Sequence, residues 1–157
     1  NEVQTDEQIE VMMPLLKERD ARFADLVAAM DADTKSFQKI IETVFSYWVS
    51  SDCDVAGIQS WADYSEGVVS AFEGAMASAA SGTDTAIFTS GGTIATIVGH
   101  VLRLTSDRVY EFYEPVFNCS ITRIIFNSRK CSLSTFNDVG HLQLMSAQLE
   151  ERLVTYR

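Results

Sequence analysis

The chain has 157 residues, the size of one ordinary domain. Apolar residues make up 46%, enough for a packed core, which excludes a disordered tail or a fibre. The net charge of −10 repels polyanions, and Arg123, Arg129 and Lys130 are too few to offset it, so no nucleic acid and no anionic membrane is expected as a partner.

The N-terminal stretch 7–29 reads as helical, with Ile9, Met12, Met13, Leu16, Phe23, Leu26 and Val27 on its apolar side. Pro14 lies inside it and is expected to kink or divide it. Residues 35–49 form a second helix whose stripe is Phe37, Ile40, Ile41, Val44 and Trp48. Ser51 to Asp54 reads as a loop. A third helix, 60–79, carries Trp61, Tyr64, Val68, Phe72 and Met76 at helical intervals, with Ser60 as its N-cap and Ser81-Gly82 as its stop. Such aromatic stripes suit a core better than a cofactor box, and the same holds for Phe45, Tyr47 and Trp48.

Thr85 to Thr89 is short, apolar and β-branched, as a buried strand is. Ser90-Gly91-Gly92 follows, and Ile94, Ile97, Val98, Val101 and Leu102 then repeat at helical spacing. A strand that becomes a helix through two glycines can be simply a tight connection. It can also hold a phosphate, because the first N–H groups of a helix have no partner within it and favour an anion. "FNCSITRIIFN" and "CSLSTFN" read as two further strands, joined by a hairpin at 127–130. A closing amphipathic helix is expected over 142–154. The order of elements predicts one α/β domain over 1–157, with helices packed on a mostly parallel sheet. Three strands are few for that many helices, so either more strands are hidden or part of the sheet is missing from this chain.

No stretch reaches the ~20 apolar residues of a membrane span, and no basic start with a short apolar core marks a secretory signal. Cys53, Cys119 and Cys131 are an odd, widely spaced set without a C-x-x-C pair, which reads as reduced thiols in a cytoplasmic protein. With His100 and His141 as the only histidines, a zinc site lacks a ligand set. His100 reads as a packed or half-buried helix residue, His141 as satisfying a local backbone group, and Asn118 as pinning a strand end.

Three stretches in this order resemble the C-terminal part of the histidine phosphatase superfamily, the phosphoglycerate-mutase-like proteins. "IFTSGGTI" at 87–94 is similar to that family's second motif, a strand entering a His-Gly-Gly-like turn. "FNCSITRIIF" at 117–126 is similar to its Asn-x-Ser-x-Thr strand, and "LSTFNDVGHL" at 133–142 to its closing strand. The resemblance implies a three-layer α/β/α phosphoglycerate mutase-like sheet, made incomplete by the absence of N-terminal strand(s). It also implies phosphoryl transfer through a phosphohistidine in an Arg-His-Gly motif, which this chain lacks. Ser90 aligns with the family's second histidine, and the Gly91 N–H with its backbone phosphate donor. Asn1-Glu2 matches the stretch whose glutamate donates a proton, so Glu2 would be the acid. Residues 3–60 fall where the family carries its helical insert, or cap.

These matches imply a small phosphorylated molecule or inorganic phosphate as ligand and no metal or organic cofactor. They leave a homodimer open. Ser90 cannot supply the charge of an imidazolium, so a weakened or inactive relative serving as a binding or scaffolding module stands beside the enzyme. An unrelated α/β interaction protein is the remaining alternative.

Overall fold

Asp20, and not Pro14, divides the N-terminal helical run. The computed structural model describes residues 2–29, 34–50, 53 and 55–156, and the side chains of these except 2–9 and 34. Helix α1 (Glu2–Arg19) continues unbroken through Pro14. The missing proline donor leaves the carbonyl of exposed Glu10 to water, which lowers the penalty. The chain breaks instead at Asp20, whose extended backbone (φ −139°, ψ 113°) and side chain cap α2 (Ala21–Ala28) by accepting the Arg22 N–H at 2.8 Å.

The described residues pack as two compact units, 1–64 and 65–157. In the first, α1 and α2 meet α3 (Thr34–Trp48) around Met12, Leu16, Phe23, Ile40, Val44 and Trp48. The buried row of α3 is Ser36, Ile40, Val44 and Trp48, an i, i+4 series. Phe37, expected in the stripe, is instead 48% exposed, because it sits one residue to the side of that row. Trp48 and Trp61 meet edge to face at 5.1 Å, and the Trp48 indole N–H donates to the Gln59 carbonyl at 2.8 Å. The aromatic stripe is core, as its spacing predicts. Helix α4 (Trp61–Ser78) starts at its expected cap: Ser60 Oγ accepts the Asp63 N–H at 3.0 Å and donates to the Asp63 carboxylate at 2.8 Å. Of the loop expected at 51–54, only Cys53 is among the described residues.

The second unit takes the rest of α4, then α5 (Gly91–Leu102), a 3₁₀ turn at Ser106–Arg108, α6 (Tyr110–Tyr113), strands β1 (Ile121–Phe126) and β2 (Cys131–Asp138), and α7 (Gly140–Leu149). The strands pair antiparallel, with Ile124 opposite Leu133 and Phe126 opposite Cys131. Asn127 closes the hairpin, its side-chain oxygen accepting the N–H groups of Arg129 and Lys130 at 2.9 and 3.0 Å. Helix α5 buries Ala95 to Gly99.

Three expectations are corrected here. Among the described residues, Thr85–Thr89 forms no strand of the sheet. Its residues are all exposed, Phe88 at 98%, and no strand pairs with them among the described residues. The described sheet is not parallel: its one pair, β1 with β2, is antiparallel. The last helix does not reach 154. Glu150 takes the left-handed region (φ 54°) and stops α7, and the chain then folds back on itself: Asn118 N–H donates to the Thr155 carbonyl at 3.1 Å, and the Tyr156 hydroxyl to the Glu114 carbonyl.

The described residues form an α/β domain with a small sheet. Among them no helix is long and apolar enough to cross a membrane.

Candidate functional site

The turn that ends the 85–89 segment is built by Ser90. Its backbone is extended (φ −85°, ψ 163°), its carbonyl accepts the Ile94 N–H at 3.0 Å, and it makes no side-chain cap bond to the helix. Ser90 Oγ lies 3.4 Å from Thr93 Oγ1. Both residues are partly exposed. The helix that follows has 12 residues, long enough to carry a dipole, with its positive end at Gly91.

Neither glycine of the pair has the positive φ that would demand a glycine; among the described glycines only Gly57 and Gly82 do. A Cβ on Gly91 would sit 3.6 Å from Val116 and 3.7 Å from the Tyr113 ring, an ordinary contact. The turn therefore needs no glycine for conformation there. Val116 and Tyr113 form one wall behind it.

That wall is held by a residue the sequence reading passed over. Asn137, at the end of β2, has φ 57°. Its side-chain oxygen accepts the Phe117 N–H at 2.9 Å, its amide donates to the Pro115 carbonyl at 2.6 Å, and its own N–H donates to Thr122 Oγ1 at 3.2 Å. It thus ties both strands to the 115–117 segment that carries Val116. Asparagine is the side chain that best tolerates the left-handed region while bonding locally, so the "FND" stretch was the available signal. Asn118, expected to pin a strand end, instead donates from its side chain to Thr155 Oγ1 at 3.1 Å.

Neither histidine lies at the turn. His100 is on the last turn of α5, with 40% of its side chain exposed and Nε2 3.6 Å from a Glu73 carboxylate oxygen, at the surface of the helix and not packed at the turn. His141 is exposed on α7, and the local backbone group there is served by Asp138, whose side chain accepts the Gly140 N–H at 2.7 Å. The side chain of Glu2, and all of Asn1, lie outside the described residues. Among those described, no three His, Cys, Asp or Glu side chains converge as metal ligands.

The cysteines differ in environment. Cys119 is exposed, whereas burial pushes the Cys131 thiol up from its ordinary range. A raised pKa means less thiolate at any pH below it. Iodoacetamide at pH 8 is therefore expected to label Cys119 before Cys131, read by peptide mass spectrometry. Faster labelling of Cys131 would contradict this.

No curated protein and no solved structure matches the chain. The model of the histidine phosphatase superfamily (branch 1) matches residues 9–139, well over half of the sequence and inclusive of the Ser90 turn, β1 and β2. The chain belongs to the histidine phosphatase superfamily.

Proposed function

We propose that the protein transfers phosphoryl groups as a phosphatase or phosphomutase, through a phosphohistidine located outside residues 1–157. The observation that carries this reading is the Ser90 turn: an extended segment entering the positive end of a 12-residue helix, inside a chain of this superfamily. In the full protein the imidazole would attack phosphorus while the ester oxygen departs. Glu2, by its match to the family's acid, would give that oxygen its proton. Ser90 Oγ–H and the Gly91 N–H would donate to the phosphoryl oxygens. Water would then release inorganic phosphate, with no metal or organic cofactor in the sequence of steps. The substrate is a small phosphorylated molecule and the setting the cytoplasm. The fold is a three-layer α/β/α sheet completed by N-terminal strand(s).

A second reading is favoured by Ser90 itself. A hydroxyl donates one hydrogen bond but brings no positive charge to the transferring group, and that stabilisation is commonly the largest catalytic contribution. The protein would then bind an anion, or a partner, without turning over.

Hydrolysis of an aryl phosphate by the full-length protein separates the two. Turnover that disappears when the Arg-His-Gly histidine is replaced supports the enzyme. Ser90→His is expected to raise kcat on the order of 10²-fold, the worth of one well-placed stabilising group. Absence of turnover in both proteins leaves the binding module.

A further inference from the structure

Two clamps hold the segment behind the Ser90 turn, and they differ in kind. Glu114 to Ser120 is neither helix nor strand, so its main-chain groups take partners from elsewhere in the chain. Asn137 serves the middle of it, accepting the Phe117 N–H and donating to the Pro115 carbonyl. Thr155 and Tyr156 serve the two sides. The Tyr156 hydroxyl donates to the Glu114 carbonyl. The Thr155 carbonyl accepts the Asn118 N–H at 3.1 Å, and Thr155 Oγ1 accepts the Asn118 side-chain amide at 3.1 Å. The Tyr156 ring meets Phe117 edge to face at 5.8 Å. Between the clamps lies buried Val116, whose side chain backs Gly91.

The Asn137 clamp is anchored in β2, which is laddered to β1 over most of its length. The other clamp belongs to residues 150–156, which form neither helix nor strand. One residue holds their base. The Ser146 carbonyl accepts the N–H groups of Glu150 and Glu151, and its hydroxyl accepts the Leu153 N–H at 3.0 Å. The return starts at Glu150 with φ 54°, a conformation that costs any residue but glycine free energy. Thr155 is exposed, and Tyr156 is 38% exposed. Few buried contacts and solvent-exposed hydrogen bonds mark a segment that opens locally while the rest stays folded.

We infer that Thr155 and Tyr156 are positioning residues for the Ser90 turn, acting as a releasable latch on the wall behind it. With the latch seated, Glu114 to Asn118 is held from both sides and Val116 stays against Gly91. With the latch released, Asn137 alone holds the segment, and the wall can draw back from the turn. A phosphate held by the Ser90 hydroxyl and the Gly91 N–H then binds the seated state better, and by linkage its binding seats the latch. That last step rests on the phosphoryl-transfer reading; the latch itself does not.

Amide hydrogen exchange on the full-length protein tests this, because the neighbouring amides of Phe117 and Asn118 report one clamp each. Asn118 is expected to exchange at least about tenfold faster than Phe117, since its clamp opens alone. Equal rates overturn the latch. Tyr156→Phe keeps the ring and removes one hydrogen bond, so Asn118 is expected to exchange about fivefold faster with Phe117 unchanged. Ser146→Ala, at the base of the return, is expected to act in the same direction. Asn118 unchanged in both variants, or a parallel rise at Phe117, overturns the inference, the latter because it reports general loosening. Saturating inorganic phosphate is expected to slow Asn118 in the wild type, and Tyr156→Phe to weaken phosphate binding about fivefold in calorimetric titration. Phosphate that binds without either effect overturns the latch. The expected exchange pattern without any phosphate binding or turnover sinks only the phosphoryl-transfer reading.

Discussion

Phe23→Ala is expected to cost the first unit about 3–5 kcal/mol, the range for removing a buried aromatic ring and leaving a cavity. Phe23 is 1% exposed, is the buried residue of α2, and lies in the cluster with Met12, Leu16 and Ile40. A unit of about this size has only a few kcal/mol to lose, so the variant is expected to leave residues 1–64 largely unfolded at 25 °C. Both tryptophans, Trp48 and Trp61, belong to this unit, which makes tryptophan fluorescence its own reporter in a urea titration. A midpoint that stays near the wild-type value would show that the ring is not central to that core.

The second large effect is expected at Asn137. Alanine there loses the bonds to the Phe117 N–H and the Pro115 carbonyl, worth about 1 kcal/mol each. It also places a Cβ without local compensation at φ 57°, a further cost of roughly 1–2 kcal/mol. The sum is about 3–4 kcal/mol. Asn137→Gly should recover the backbone share and none of the hydrogen-bond share, so its loss falls between wild type and alanine. Exchange rates of the β1 and β2 amides report the outcome. Equal losses for alanine and glycine would show that the left-handed backbone carries no strain worth counting. In the full-length protein, the same alanine is also expected to weaken phosphate binding, because Val116, which backs the turn at Gly91, hangs on the segment that Asn137 holds.

What could be read from the residues was set by how local its cause is. The helices α3 and α4, the cap at Ser60, the hairpin at Asn127 and the two strands follow from periodicity and turn chemistry within a dozen residues, and the structure has them. The resemblance to the superfamily was legible because three short motifs keep their order. Pro14 misled because its cost depends on whether the orphaned carbonyl reaches water, which is a property of the packed chain. Thr85–Thr89 has the composition of a strand, but a strand is a pairing, and none of the described residues pairs with it. Asn137 escaped notice because its φ and its partner 20 residues away are invisible in a linear text. Ser90 stands at the helix start where the spacing put it, while the role of Glu2 depends on a side chain outside the described residues.

The return of the C-terminal residues has a consequence for biosynthesis. Thr155 and Tyr156 bond to Asn118 and Glu114, 37 and 42 residues back along the chain. Those bonds cannot form until residues 155 and 156 have been translated and have cleared the exit tunnel. The first unit closes its core by Tyr64 and has no such wait. Vectorial synthesis therefore gives the two halves different birth times, and the nascent second half depends longest on chaperones.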